Sequence, residues 1–311
     1  MGELLANILL VASQVGTLFL LMGVGFVLTR LGKLTKTGVV QLTFVLMNIV
    51  SPCIIIDTLQ VERTPALLRD MGVGVLIMCA VYALWIALAA PAFRRTEADT
   101  RDVLRFGMVY GNTGFMGLPL IQAVLGSAGL FYATAPYLVF SVVSWSHGVA
   151  RMGGRAQLSL KRLLLNPGIL GSVIAITLFL LNFRLPAMVG NAVGYLGSMN
   201  TPLAMIVVGS QMAGANLGDA LRSPRLYLAG AVRLLVCPAL LLVLLLPLRL
   251  DPTMYAAYVI LAATPTAGLT GIFAQRFGRD TAAAAQLITL STLLSILTLP
   301  CFAALAQLLN P

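Results

Sequence analysis

Val109-Tyr-Gly-Asn-Thr-Gly-Phe-Met-Gly-Leu-Pro119 and Leu261-Ala-Ala-Thr-Pro-Thr-Ala-Gly-Leu-Thr-Gly271 are the two stretches that decide the fold. Each interrupts a long apolar run with glycine, proline and small polar residues. Proline removes a backbone donor and glycine loosens a helix, and hydrocarbon cannot satisfy the groups so freed. Such breaks persist within a membrane only where protein or a watery cavity surrounds them. A pair of broken segments at corresponding places in two halves of a chain points to a transport site.

The sequence around them is apolar as well. Of 311 residues, 59% are hydrophobic and only 10% charged, where a soluble domain carries about 25%. The chain therefore reads as an all-α, polytopic membrane protein. Stretches of spanning length run over 4–29, 37–59, 70–93, 103–125, 129–150, 165–183, 186–213, 226–247, 254–276 and 281–308, ten in all. The first lacks a basic leader and a small-residue cleavage site, so it is read as a span and not as a removable signal. Cys53, Cys79, Cys237 and Cys301 all fall inside spans, which argues against a disulfide or metal framework.

A net charge of +10 could suit nucleic acid, but the basic residues are scattered over short loops with no soluble segment to gather them. Their use is topological. Arg30, Lys33 and Lys36, then Arg94, Arg95, Arg101 and Arg105, then Arg151, Arg155, Lys161 and Arg162 follow odd-numbered spans, as do Arg222, Arg225, Arg276 and Arg279. The positive-inside rule puts these loops in the cytoplasm and both termini outside, in the periplasm if the membrane is a bacterial inner membrane.

Five spans per repeat make a second copy insert upside down. Asn48 and Pro52 in span two recur as Asn200 and Pro202 in span seven, and Thr113, Gly117 and Gln122 recur as Thr266, Thr270 and Gln275. The expected organisation is a first repeat over 1–150, a cytoplasmic connecting loop over 151–164 and an inverted second repeat over 165–311.

Where spans four and nine break, half-helix N-termini bring partial positive charge to one point, which favours an anion. Asn112, Thr113 and Gly114 with Pro119, and Thr264, Pro265, Thr266 and Thr270, supply donors and acceptors there without fixed charge, and they are the expected substrate-binding set. Glycines such as Gly114 also serve plain helix packing. Asn48 and Asn200, beside Pro52 and Pro202, are placed to cap backbone groups that proline leaves unpaired. Arg233 lies about 10 Å inside span eight at 1.5 Å per residue. It binds the anion, snorkels to the surface or ties together broken backbone. His147, the only histidine, and Asp57, near the outer end of span two, are the groups that could titrate in a coupling step. The chain shows no buried carboxylate pair, no zinc-protease motif and no metal cluster, so an enzyme is not expected and no cofactor is implied.

Asn112-Thr-Gly-Phe-Met-Gly-Leu-Pro119, Asn166-Pro-Gly-Ile, Arg233-Leu-Leu-Val-Cys-Pro238, Pro265 with Phe273-Ala-Gln, and Leu299-Pro300 together resemble the auxin efflux carrier family. The resemblance runs along the whole chain. It implies ten helices of the type seen in bile acid:sodium symporters and sodium-proton antiporters, with broken helices four and nine crossing at their prolines. Spans one, two, six and seven would form a scaffold, and spans three to five and eight to ten a transport part that moves like an elevator. Asn112, Pro119 and Pro265 fall on the crossover positions, and a homodimer is a family expectation. The family includes bacterial carriers and plant members; Thr266 and Thr270 stand where the plant members tend to have glutamine and a second proline, and the long cytoplasmic loop of many plant members is missing here. A small carboxylate such as malate or malonate is thus as suitable a substrate as auxin. A proton- or sodium-coupled carrier, a channel and a non-transporting sensor remain as competing readings.

Overall fold

The structure, a computed structural model, describes residues 2–214 and 217–309; the expected outer ends at Met1 and Pro311 lie outside the described residues. Helices account for the architecture: α1 Gly2–Arg30, α2 Lys36–Thr58, α3 Pro65–Ala89, α4 Ala98–Val109, α5 Thr113–Gly153, α6 Pro167–Leu180, α7 Ala187–Ala213, α8 Pro224–Leu248, α9 Pro252–Ala262, α10 Leu269–Arg276 and α11 Thr281–Leu309. Seven of these are long and apolar enough to cross a membrane, and α6 and α9 are shorter apolar helices. Among the described residues the sole strand-like feature is an isolated antiparallel bridge between Gly111 and Thr266.

Local signals explain where several helices begin. A capping side chain followed by proline opens α3 (Thr64, Pro65), α6 (Asn166, Pro167) and α9 (Asp251, Pro252), and in each the cap accepts from a backbone N–H of the first turn. At 41 residues α5 is about twice the length a bilayer needs. It turns at Gly126, whose φ of +63° suits a residue without Cβ, and so is two helices in succession. Spans four and nine of the sequence reading are likewise each two short helices: α4 with the first part of α5, and α9 with α10.

Span seven is interrupted at Met199, giving Ala187–Ser198 and Asn200–Ala213. This corrects the expectation for Asn200. Pro202 lies in the first turn of the second segment, where its missing N–H has no intrahelical partner to lose, so no orphaned carbonyl needs a cap. The Asn200 amide is buried and bonds to no described group. Asn48 does cap a carbonyl, its Nδ2 donating to Phe44 O at 2.8 Å.

α1 and α7 pack backbone to backbone. A Cβ on Gly25 would lie 2.1 Å from Ile206 O, and one on Gly209 1.9 Å from Met22 O, so only glycine permits this approach. α2 packs on α6 and α7, whereas α3 packs on α5, and α9 packs on α5, α8 and α11. Leu20, Leu76, Leu181 and Leu297 point outward, as a lipid-facing surface requires. At one end, Asp102 lies 3.0 Å from Arg151, 3.7 Å from Arg101 and 3.8 Å from Arg279, joining the start of α4, the end of α5 and the α10–α11 turn. The connecting loop carries a 3-10 turn, Arg155–Gln157, and one α-helical turn, Leu160–Leu164, capped by Ser159, with Leu158, Leu160, Leu164 and Leu165 exposed beside the basic residues.

Candidate functional site: the crossing of the broken helices

α4 ends at Val109, and Tyr110 turns into extended backbone (φ −101°, ψ 104°). There the chain meets the second break running the other way. Asn112 N–H donates to Pro265 O at 2.7 Å and Ala267 N–H donates to Tyr110 O at 2.9 Å, so the two interrupted helices satisfy each other's backbone. On span nine the crossing falls at its proline, as expected. On span four it falls at Tyr110–Asn112, while Pro119 sits in the first helical turns of α5, buried and away from the crossing.

On one side of this knot, helices start. Asn112 Oδ1 accepts from Phe115 N–H at 3.3 Å and heads α5, Gly268 heads α10, and Asn166 Oδ1 accepts from Ile169 N–H at 3.1 Å and heads α6. All three line one cavity of about 60 Å³, together with Ser51, Tyr137 and Ser141, and among the described residues no acidic side chain lines it. Three helix N-termini thus face a small, partly apolar chamber, and their partial charges favour an anion. Met47, Trp145, Asn166 and Ile272 also line a wider neighbouring cavity of about 660 Å³, bordered by Lys161, Arg162 and Arg276.

On the other side, helices end. Arg233, fully buried, donates through Nε to Thr264 O at 2.9 Å, through one terminal nitrogen to Ala262 O at 2.6 Å and Leu261 O at 3.3 Å, and through the other to Val109 O at 3.3 Å. Its guanidinium also stands 5.0 Å from the Trp85 ring centroid. A Cβ on Gly111 would fall 2.3 Å from a guanidinium nitrogen and 2.6 Å from Thr264 Oγ1, so glycine is required at that position. Of the three roles open to Arg233 from sequence, the geometry gives the third: it ties together broken backbone. It neither lines the chamber nor reaches the surface.

The expected binding set divides accordingly. Asn112 and Gly114 line the chamber, whereas Thr113, Pro119, Thr264, Pro265, Thr266 and Thr270 do not. Thr264 Oγ1 donates to Leu261 O at 2.7 Å, Thr266 Oγ1 donates to Gly107 O at 3.1 Å, and Thr113 Oγ1 donates to Gly111 O at 3.4 Å. Thr270 is buried and its hydroxyl has no described partner. His147 Nδ1 lies 2.8 Å from the Tyr110 hydroxyl and borders a separate cavity of about 120 Å³ with Arg105 and Arg151. Asp57 is exposed, and Pro52 packs against Gly171 of α6. Sequence reasoning missed Asn166, Tyr137, Ser141 and Trp145 as chamber residues. The Asn166-Pro167 pair was a readable helix start, but nothing local said where that start pointed.

An all-helical, multi-pass membrane protein whose two broken helices cross beside a chamber faced by helix N-termini belongs to the class of membrane transporters. The profile of the family described as Membrane transport protein matches residues 10–161 and 155–303, and the chain belongs to that family, the auxin efflux carriers. The chain is also similar to an uncharacterized transporter of Methanothermobacter thermautotrophicus, 26% identical over 285 residues that cover 89% of this chain and 92% of the other. It is a membrane transporter and not an enzyme.

Proposed function

We propose that this transporter is a secondary carrier of organic anions, auxin-like compounds or small carboxylates such as malate and malonate, and that it binds them in the chamber at the crossing. The observation that carries this reading is the convergence of three helix N-termini, headed by Asn112, Gly268 and Asn166, on a chamber without an acidic side chain. Asn112 is the residue that both heads a helix and pairs with the opposite break through its backbone, so it would sense both half-helices at once.

In this reading the chain is two inverted five-span repeats, in which spans one, two, six and seven act as scaffold and spans three to five and eight to ten move the crossing past them. The extensive packing of α1 on α7 and of α2 on α6 and α7 supports the scaffold half of that division, and α1 and α7 also touch α5 and α11, the surfaces along which the moving part would slide. The basic vestibule lies on the side that the positive-inside rule assigns to the cytoplasm, with the termini in the periplasm of an inner membrane. The carrier is thus open inward, and Lys161, Arg162 and Arg276 draw anions toward the chamber. Two copies would assemble as a homodimer.

Uptake of labelled indole-acetic acid, malate and malonate into proteoliposomes, under an imposed membrane potential, tests this. Saturable flux of one of these anions that follows potential is expected. Linear, non-saturating flux would identify a channel, and binding without flux a sensor.

A further inference from the structure

The side of the crossing opposite the chamber has a chemistry of its own. Four backbone carbonyl oxygens, from Val109, Leu261, Ala262 and Thr264, converge where α4 and α9 end. Helix C-termini carry partial negative charge. In carriers built on broken helices, unwound carbonyls and half-helix C-termini of this kind coordinate a sodium ion. Here the position is filled by a side chain. The Arg233 guanidinium takes all four oxygens, and among the described residues no acid forms an ion pair with it. A guanidinium does not release its proton in proteins, so this charge is permanent. Gly111 leaves the space it occupies, and Trp85 closes one face.

We infer that Arg233 is a built-in cation seated where a coupling ion would otherwise bind, and that removing its guanidinium opens a sodium site at the carbonyl ends of the two broken helices. The consequence rests on the proposed reading of the crossing as the transport site: the protein carries its anion without a co-transported sodium ion or proton. Arg233 is a positioning residue, because it holds both half-helices from behind and does not touch the chamber.

The test compares wild type with Arg233→Ala and Arg233→Lys. The first readout needs no substrate: melting temperature in sodium chloride against choline chloride at equal ionic strength. Wild type should show no difference, whereas Arg233→Ala should melt a few degrees higher in sodium, the shift expected of a ligand at many times its Kd. Guanidinium at low concentration should reproduce that shift. The second readout is flux. Wild-type uptake should be indifferent to imposed sodium and pH gradients, and Arg233→Ala uptake should be about tenfold higher in sodium than in choline. Arg233→Lys, which keeps the charge, should retain sodium-independent uptake at reduced rate.

A purely structural tie would make the variants less stable without distinguishing sodium from choline. A folded Arg233→Ala that ignores sodium would overturn the inference. Wild-type flux that follows a sodium or proton gradient would overturn it too, and that measurement stands even if both variants fail to fold. Absence of any anion uptake by wild type would sink the carrier reading instead, leaving the thermal shift to judge the cation seat alone.

Discussion

The two faces of the crossing are made from the same backbone and do opposite things. On the face where helices begin, the free N–H ends look into a chamber and are capped only by short amide side chains and glycine. On the face where helices end, the carbonyls are saturated by one guanidinium packed against tryptophan. One face leaves its partial charge available, and the other has it cancelled internally. A broken helix in a membrane has two ends to satisfy, and the protein satisfies one internally and leaves the other facing the chamber.

This contrast can be broken most severely at Gly111. Gly111→Ala drives a methyl group into the guanidinium and Thr264. With neither neighbour free to move, the cost should reach or exceed the ~3 kcal/mol upper end of ordinary overpacking. Melting temperature should fall by several degrees and uptake with it; a normal melting temperature would mean that the carbonyl face is looser than described.

Asn112→Ala should act on the other face. A lost ligand contact plus a lost cap is worth about 2–3 kcal/mol, or roughly a 30-fold to 150-fold loss of kcat/KM in the uptake assay. The fold should survive, because the backbone pairing to Pro265 does not need the side chain. Normal uptake by this variant would remove Asn112 from the site.

Thr266→Val sharpens the comparison by deleting the bond to Gly107 O on the structural side. It should cost about 1–2 kcal/mol of stability while leaving KM unchanged. An altered KM with unaltered melting temperature would put Thr266 in the binding set after all. Asn166→Ala removes a cap worth about 1 kcal/mol and should raise KM about fivefold. Joint replacement of Lys161 and Arg162 by Gln should have the smallest effect, about twofold in KM at physiological ionic strength, growing as salt is lowered.

Much of this organisation could be read directly from the chain. Gly111, Asn112 and Pro265 announced the breaks, Thr64-Pro65, Asn166-Pro167 and Asp251-Pro252 announced helix starts, and the depth of Arg233 announced that it must have partners. Where the threonine hydroxyls point could not be read from the sequence, because their residue type says only that they can donate. Thr264 and Thr266 sit on backbone that has left the helix, and the direction of their hydroxyls follows from torsions imposed by the opposite break. Asn200 was misread because a proline in a first turn leaves nothing to cap, and Pro202 marks the start of a new helical segment after Met199 instead of a break inside one.

The sequence by itself determined that this is a helical membrane transporter with two interrupted spans, because apolar length and proline or glycine chemistry are local properties that hydrocarbon enforces residue by residue. Only the tertiary structure decided which end of each break faces the chamber and which is tied up within the fold. That choice depends on Arg233 reaching a carbonyl 124 residues away in one break and 31 residues away in the other, and on Asn166 arriving from a separate helix to complete the chamber. Partial charges at helix ends acquire a role only when distant segments are brought within a few ångströms of them.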